Sequence, residues 1–348
     1  MAYVLCFGHR YIAGANTMNL LITKNCNRSC PYCFAKKEVQ LDSVQSTGAI
    51  SLAAYQDYLT FLKQNAIRDL KILGGEPTLH PQFVELMETG LRQDFVVTVF
   101  TNGLWNRNIR SFFRTKATQN IRFLININEK RYTRDGEHAI LAKTLKVTGK
   151  RAQCGFNIFV GDFDLTFLTP LIDHYSLKRT IRLGLASPIV GERNISIAPQ
   201  AMKAIGKRLV RQMKILEQQD ILVEFDCGFT YCMFEEDDFG TLVRSTKNGL
   251  VSTCGFIGDV DCNLDIWPCF PLSKTDHLNL KDYPKRGDIQ EVYRQRFQAV
   301  QRLGSTDDCL FCHYFKRGQC CGGCLARSIE EVTRKGDPSL LLKLHMST

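Results

Sequence analysis

Six short runs of apolar, β-branched or aromatic residues alternate with six amphipathic stretches along the first two-thirds of the chain, and this alternation constrains the fold more than any other feature. The runs are Asn19 to Thr23, Leu70 to Leu73, Phe95 to Phe100, Ile121 to Ile127, Gly155 to Val160 and Ile181 to Leu185. The stretches with helical periodicity are Ser51 to Ile67, His80 to Gln93, Trp105 to Thr115, Gly136 to Val147, Phe167 to Leu177 and Pro199 to Gln219. Strand followed by helix, repeated, calls for a parallel sheet with right-handed crossovers. Eight such units close a full barrel; six predict a partial, splayed (β/α)6 barrel of the TIM-like kind, ended by a seventh strand at Leu222 to Phe225. Ligands of such sheets sit at the C-terminal ends of the strands.

Composition adds one anomaly. The 44% apolar and 23% charged residues are average and exclude a disordered, collagenous or coiled-coil chain, but fifteen cysteines stand out. A chain of 348 residues buries enough core to need no disulfide framework. The start, Met1-Ala-Tyr-Val-Leu-Cys6, lacks the basic and apolar regions of a secretory signal, and no run nears the roughly 20 apolar residues that cross a bilayer. A cytoplasmic, reducing location without a membrane role is therefore expected, where thiols persist as metal ligands.

Ten of the fifteen cysteines lie between Cys227 and Cys324, in a region of hairpin-like runs and turns such as Lys247-Asn248-Gly249. The predicted organisation is an N-terminal extension (1–18), a barrel core (19–225), a small cysteine-rich domain (226–330) and a basic tail (331–348). Cys6 and Cys154 read as small buried hydrophobes. The net charge of +10 is uneven: residues 107–151 hold twelve Lys or Arg against Glu129, Asp135 and Glu137. Such a surface suits an anionic partner, or is a set of solvated helix faces.

Chemistry concentrates in Cys26-Asn-Arg-Ser-Cys30-Pro-Tyr-Cys33, directly after the first strand. Three thiolates in C-x3-C-x2-C spacing hold three corners of a 4Fe-4S cube and leave one iron without a protein ligand, the mark of a site kept open for a substrate or cosubstrate. After the second strand comes Gly74-Gly75-Glu76-Pro77, after the third Thr101-Asn102-Gly103, and the fourth ends in Asn126 and Asn128. Together these resemble the radical S-adenosylmethionine (radical SAM) superfamily. The resemblance implies that Cys26, Cys30 and Cys33 ligate the cluster and that SAM chelates the open iron. It implies that Tyr32 lies near the adenine, that Gly74, Gly75, Glu76 and Pro77 meet the methionine amino group, and that Asn126 reaches the ribose or carboxylate. Zinc or coincidence is the bland alternative for the three cysteines.

The C-terminal cysteines resemble the SPASM extension of that superfamily, which implies one or two auxiliary 4Fe-4S clusters. On that resemblance the first would take Cys254, Cys269 and Cys324 with an upstream thiol, Cys232 by preference and Cys227 in reserve. The second would take Cys309, Cys312 and Cys320, with Cys227, Cys262, Cys321 or an open iron in fourth place, because no cysteine follows Cys324. The step from Cys312 to Cys320 is longer than usual. C-x2-C followed by Cys321-x2-Cys324 also has zinc-ribbon spacing.

The implied reaction is reductive cleavage of SAM to a 5′-deoxyadenosyl radical and hydrogen abstraction from a substrate, with an external donor such as flavodoxin or ferredoxin supplying the electron. Auxiliary clusters favour net oxidation, so oxidative modification or crosslinking of a ribosomal peptide or protein leads. A sugar or aminocyclitol dehydrogenase, a nucleic-acid modifier and a non-catalytic iron–sulfur or zinc-binding module are the alternatives. Formylglycine formation is disfavoured because Phe270 stands where those enzymes carry an Asp; Asp226 is the candidate base. With Cys26 so near the start, leader recognition would fall to the basic surface or a separate partner.

Overall fold

The computed structural model describes residues 17–33 and 48–335. Cys6, most of the N-terminal extension and the end of the basic tail lie outside the described residues. Seven parallel strands run in sequence order: β1 (Met18–Leu21), β2 (Asp69–Leu73), β3 (Val96–Thr101), β4 (Ile121–Asn126), β5 (Ala152–Ile158), β6 (Thr180–Leu185) and β7 (Leu222–Phe225). Between them lie α1 (Leu52–Gln64), α2 (Phe83–Arg92), α3 (Arg107–Thr115), α4 (Glu137–Thr148), α5 (Thr169–His174) and α6 (Met202–Glu217). The partial (β/α)6 barrel is therefore present.

Of the boundaries that differ from the sequence expectation, two have a visible cause. The fifth strand starts three residues early, because Ala152 and Gln153 find partners in Phe123 and Leu124 of β4. The helix expected over Phe167 to Leu177 shrinks to α5: Pro170 falls in its first turn behind a 3-10 turn, and Ser176, at φ 52°, ends it.

Strand side chains alternate between two environments. Val97 and Val99 of β3, Ile121, Phe123 and Ile125 of β4 and Ile181 and Leu183 of β6 are buried, as are Tyr55, Tyr58, Leu59 and Leu62 of α1 and Leu86 and Met87 of α2. The opposite face of the strands is mixed, with Lys71, Thr98, Asn126 and Arg182 beside Phe100 and Leu124. There the Arg182 guanidinium of β6 stands 5.5 Å over the Phe100 ring of β3, and Gln153 of β5 donates to Glu224 of β7 at 2.8 Å.

The cysteine-rich region does not fold apart. Its strands β8 (Asp259–Val260), β9 (Asp265–Trp267) and β10 (Leu278–Asn279) extend the same sheet, in the order β10-β9-β8-β1-β2 and on to β7. β8 pairs parallel to β1, with Asn19 opposite Asp259 and Leu20 opposite Val260. Beyond it, α7 (Phe239–Ser245), α8 (Arg286–Gln301), α9 (His313–Lys316) and α10 (Leu325–Lys335) complete the extension. Arg327 of α10, buried, donates to the backbone oxygens of Ala186 and Ile197 and so pins that helix to the end of β6.

Gly206 of α6 lies against the turn at Met233; a Cβ there would sit 1.9 Å from the Met233 carbonyl oxygen. Gly206→Ala is expected to cost about 1–3 kcal/mol by denaturant unfolding, as overpacking does. Gly287→Ala in α8, with nothing within 4 Å, is expected to be neutral or slightly stabilising.

Candidate metal and cofactor centre

All the motif residues of the core fall at the C-terminal ends of β1 to β4, as parallel α/β topology requires. The Cys26 to Cys33 loop leaves β1 and is anchored through side chains rather than regular structure. Arg28, 8% exposed, donates through Nε and Nη2 to Glu137 Oε2 at 3.1 and 2.8 Å, tying the loop to the first turn of α4. Asn27 donates to the Leu104 carbonyl and accepts from Asn102 at 2.8 Å, tying it to the turn after β3. Gly103 makes that turn at φ +76°, and a Cβ there would meet Leu141 at 2.7 Å.

The Gly74-Gly75-Glu76-Pro77 turn is locked against the end of β1. Gly75 and Glu76 donate their N–H groups to the carbonyls of Thr23 and Asn25 at 2.8 and 2.7 Å. A Cβ on Gly74 would lie 2.7 Å from the Thr23 oxygen, so only glycine permits this approach. Glu76 closes the turn from within. Its carboxylate is 0% exposed and accepts from Thr78 Oγ1 at 2.6 Å, Thr78 N at 3.3 Å, Thr101 Oγ1 at 2.7 Å and Asn102 N at 2.8 Å. The side chain binds the turn after β2 to the turn after β3.

Tyr32 and Asn126 form one network. Asn126 Nδ2 donates to the Tyr32 hydroxyl at 2.6 Å and its Oδ1 accepts from Asn157 at 2.7 Å, while the Tyr32 hydroxyl donates to Asn128. Tyr32 is buried with its ring 4.8 Å from Phe159, and burial pushes its hydroxyl far above the usual range. Asn128 in turn donates to Cys30 Sγ at 3.8 Å. Neither Asn128 nor Asn157 as a link to the loop, nor the Arg28–Glu137 pair, was legible from spacing, since each joins residues 31 to 109 positions apart.

Cys26, Cys30 and Cys33 form no disulfide, and burial raises the thiols of Cys26 and Cys30. The donor set fits an iron–sulfur cluster: three soft thiols on one loop, with an amide donor already aimed at one sulfur, as cluster ligands require. Among the described residues no three His, Cys, Asp or Glu side chains are grouped so as to hold a single metal ion.

Asp226, at the end of β7, is held by Arg182 at 2.8 Å and by the Cys227 N–H at 3.0 Å. Asp259, not singled out in the sequence, lies beside Phe270. Burial pushes its carboxyl up to about 7 against hydrogen bonds from Asn19, at 2.6 Å, and the Phe270 backbone.

In the extension, Cys227 follows β7 at the barrel mouth. It is accessible to solvent, yet the surrounding protein desolvates its thiol and raises it, helped by Asp226, Cys324 and Cys254. The Cys269 thiol is raised by burial and by Cys254, Cys324 and Cys227. Cys320 is pushed up to about 11 by burial, against a hydrogen bond from Gly322 and with Cys232, Cys309 and Cys312 as its charged neighbours. Cys154, buried on β5, is pushed up to about 12 by burial alone, as a packing residue would be. Cations of the basic segment gather on the barrel flank, where Arg107, Arg110, Arg114, Lys143, Lys146 and Arg151 line a cavity of about 720 Å³ between α3 and α4.

The fold and its mouth define a partial barrel built to receive a ligand at its strand ends, with a cysteine-rich extension welded to one edge. The chain matches the family model of the Radical SAM superfamily over residues 20–130. It is similar, at 32% identity over 90 residues, to an S-adenosylmethionine-dependent nucleotide dehydratase of Selenomonas ruminantium; 26% of this chain and 30% of that one are covered. The chain thus spans about 30% of the length of that curated relative. Its fold resembles native anSMEcpe with bound AdoMet and Kp18Cys peptide at TM-score 0.63 and 16% identity, over 94% of this chain and 98% of that one. It also resembles Streptococcus suis SuiB bound to precursor peptide SuiA at TM-score 0.64 and 16% identity, over 95% and 75%. Both similarities include the extension. Among the described residues no helix is long and apolar enough to cross a membrane.

Arg28→Ala leaves Glu137 buried without its partner and is expected to destabilise the fold by about 3–5 kcal/mol in denaturant unfolding. Replacing both by apolar residues, Arg28→Met with Glu137→Leu, should recover most of that loss.

Proposed function

We propose that the chain is a radical SAM enzyme acting oxidatively on a peptide or protein. The observation that carries the reading is the three-cysteine loop after β1, braced by the Gly74 to Pro77 turn at the mouth of a partial barrel, within the segment that matches the superfamily model. Cys26, Cys30 and Cys33 would hold a 4Fe-4S cluster, whose open iron binds SAM. Bound together, these groups supply a carbon radical that removes a hydrogen atom from a substrate. The chain's own residues shape that site. Arg28 and Asn27 hold the loop in place, Asn128 directs an N–H at Cys30, and the Tyr32–Asn126–Asn157 network stiffens the wall beside it.

A peptide substrate draws support from the fold similarity to two proteins solved with peptides, a similarity that runs through the extension as well as the barrel. The basic cavity between α3 and α4 offers an acidic segment of such a partner a place on the flank, away from the chemistry. A second reading, a small anionic substrate such as a nucleotide, is favoured by Lys71 and Arg182 inside the barrel and by the nucleotide dehydratase similarity of the core.

After anaerobic reconstitution with iron and sulfide, addition of dithionite and SAM is expected to release 5′-deoxyadenosine. Cys26→Ala, Cys30→Ala and Cys33→Ala should each reduce that release to background. Bound zinc with no SAM cleavage by the wild type would sink the reading. Mass loss of hydrogen from a co-incubated peptide, set against turnover of nucleoside triphosphates, separates the two substrate classes.

A further inference from the structure

The sequence pairing of the C-terminal cysteines leaves one group short of a ligand, and the structure supplies it from an unexpected side. The segment from Cys227 to Met233 leaves β7 and crosses both groups in turn. Its first part lies on the loop that carries Cys324: Gly323, at φ +93°, comes so close that a Cβ on it would sit 3.2 Å from the Gly228 carbonyl oxygen and 3.0 Å from Thr230 Cγ2. Cys227 is thereby set beside Cys324.

Its second part turns toward the other group. The Tyr231 ring stacks on Tyr314 with centroids 4.6 Å apart and planes at 22°. Tyr314 lies two residues past Cys312, and its carbonyl accepts the Cys320 N–H at 3.2 Å. Ser252 closes the arrangement: its hydroxyl donates to the Phe229 carbonyl at 3.1 Å, it bridges Cys320, and its own carbonyl accepts the Cys321 N–H at 3.0 Å. Cys232 follows Tyr231 directly, on the stretch that packs against Tyr314, with its sulfur 3.2 Å from Thr230 Oγ1. Cys309 is drawn in by the Gly304 turn, where a Cβ would meet its sulfur at 2.9 Å.

The other candidates for fourth place are engaged elsewhere. Cys262 donates its thiol proton to the carbonyls of Leu21 and Gly48 at 3.2 and 3.4 Å, at the end of β1. Cys321 donates to Ser252 and Gly323 at 3.3 and 3.2 Å and accepts from the Cys254 N–H at 3.0 Å. The electrostatic neighbours agree with the partition. Cys320 feels Cys232, Cys309 and Cys312, while Cys269 feels Cys254, Cys324 and Cys227.

We propose that Cys232 completes a four-thiolate site with Cys309, Cys312 and Cys320, and that Cys227 completes another with Cys254, Cys269 and Cys324. This rests on the reading of the chain as an iron–sulfur enzyme and exchanges the two upstream cysteines of the sequence-based pairing. Both auxiliary clusters are then closed by protein ligands, so they conduct electrons or brace the fold and do not bind substrate.

The test uses the full chain, anaerobically reconstituted with ferrous iron and sulfide, in a Cys26/Cys30/Cys33→Ala background. Iron content and the electron paramagnetic resonance of the reduced protein are read. The background should hold about eight irons in two clusters. Cys232→Ala is expected to alter or remove one signal and Cys227→Ala the other, with Cys262→Ala and Cys321→Ala leaving both intact. Combining Cys232→Ala with Cys309→Ala should cost no more iron than either alone, whereas combining it with Cys254→Ala should cost both clusters. Serine versions, checked by circular dichroism, serve where alanine fails to fold. Cys232→Ala leaving both signals unchanged, or affecting the same signal as Cys254→Ala, overturns the partition. A background that holds no iron, with the native Cys26 loop still loading about four irons in the wild type, overturns the auxiliary-cluster reading and the partition with it, and leaves the SAM site standing.

Discussion

β1 has four residues, and the molecule is organised around them. It is paired in parallel on both edges, to β2 from the barrel and to β8 from the extension. Its C-terminal end launches the three-cysteine loop, and the carbonyls of Thr23 and Asn25 just beyond it hold the Gly74 to Pro77 turn. Parallel neighbours align their C-terminal ends on one side of a sheet. Loop, glycine turn and extension therefore meet at one mouth because they share one short strand.

Around that mouth the chain uses its polar residues to immobilise backbone. Glu76 is buried with hydrogen-bond donors on both carboxylate oxygens, which hold two turns together, while burial still raises its carboxyl. The Arg28–Glu137 pair does the same for the cysteine loop at the first turn of α4, where an acidic residue is also favoured by the helix dipole. Tyr32 and its three asparagines form a wall in which each amide has a partner within the chain. On the proposed reading such stiffness serves a reactive carbon radical, since a site that shifts exposes the wrong bond.

The extension belongs to the same body. β8 to β10 continue the sheet, Arg327 anchors α10 to the end of β6, and Gly206 admits the Met233 turn against α6. Cysteines that look like a separate module in the sequence are thus carried on a frame shared with the barrel. The segment after β7 reaches the mouth, the Cys324 loop and Tyr314 within seven residues. A route from the barrel interior toward the outer cysteines is built into one short stretch of chain.

Local pattern was enough for the barrel and for the motif positions. Alternating apolar runs and helical periods mark β1 to β7 and most of the helices, and C-x3-C-x2-C with Gly-Gly-Glu-Pro after consecutive strands marks the mouth, because those signals depend only on neighbours in sequence. The short α5 and the early start of β5 escaped, since a 3-10 turn and a pairing partner decided them. What Glu76 touches, what Arg28 pairs with, and which of Cys227 and Cys232 lies by which thiols were settled by contacts between residues tens to hundreds of positions apart. Spacing carries no record of such contacts: two cysteines five residues apart read alike in the sequence, and only the turn between them, pressed by Gly323 on one side and Tyr314 on the other, sends them to different neighbours.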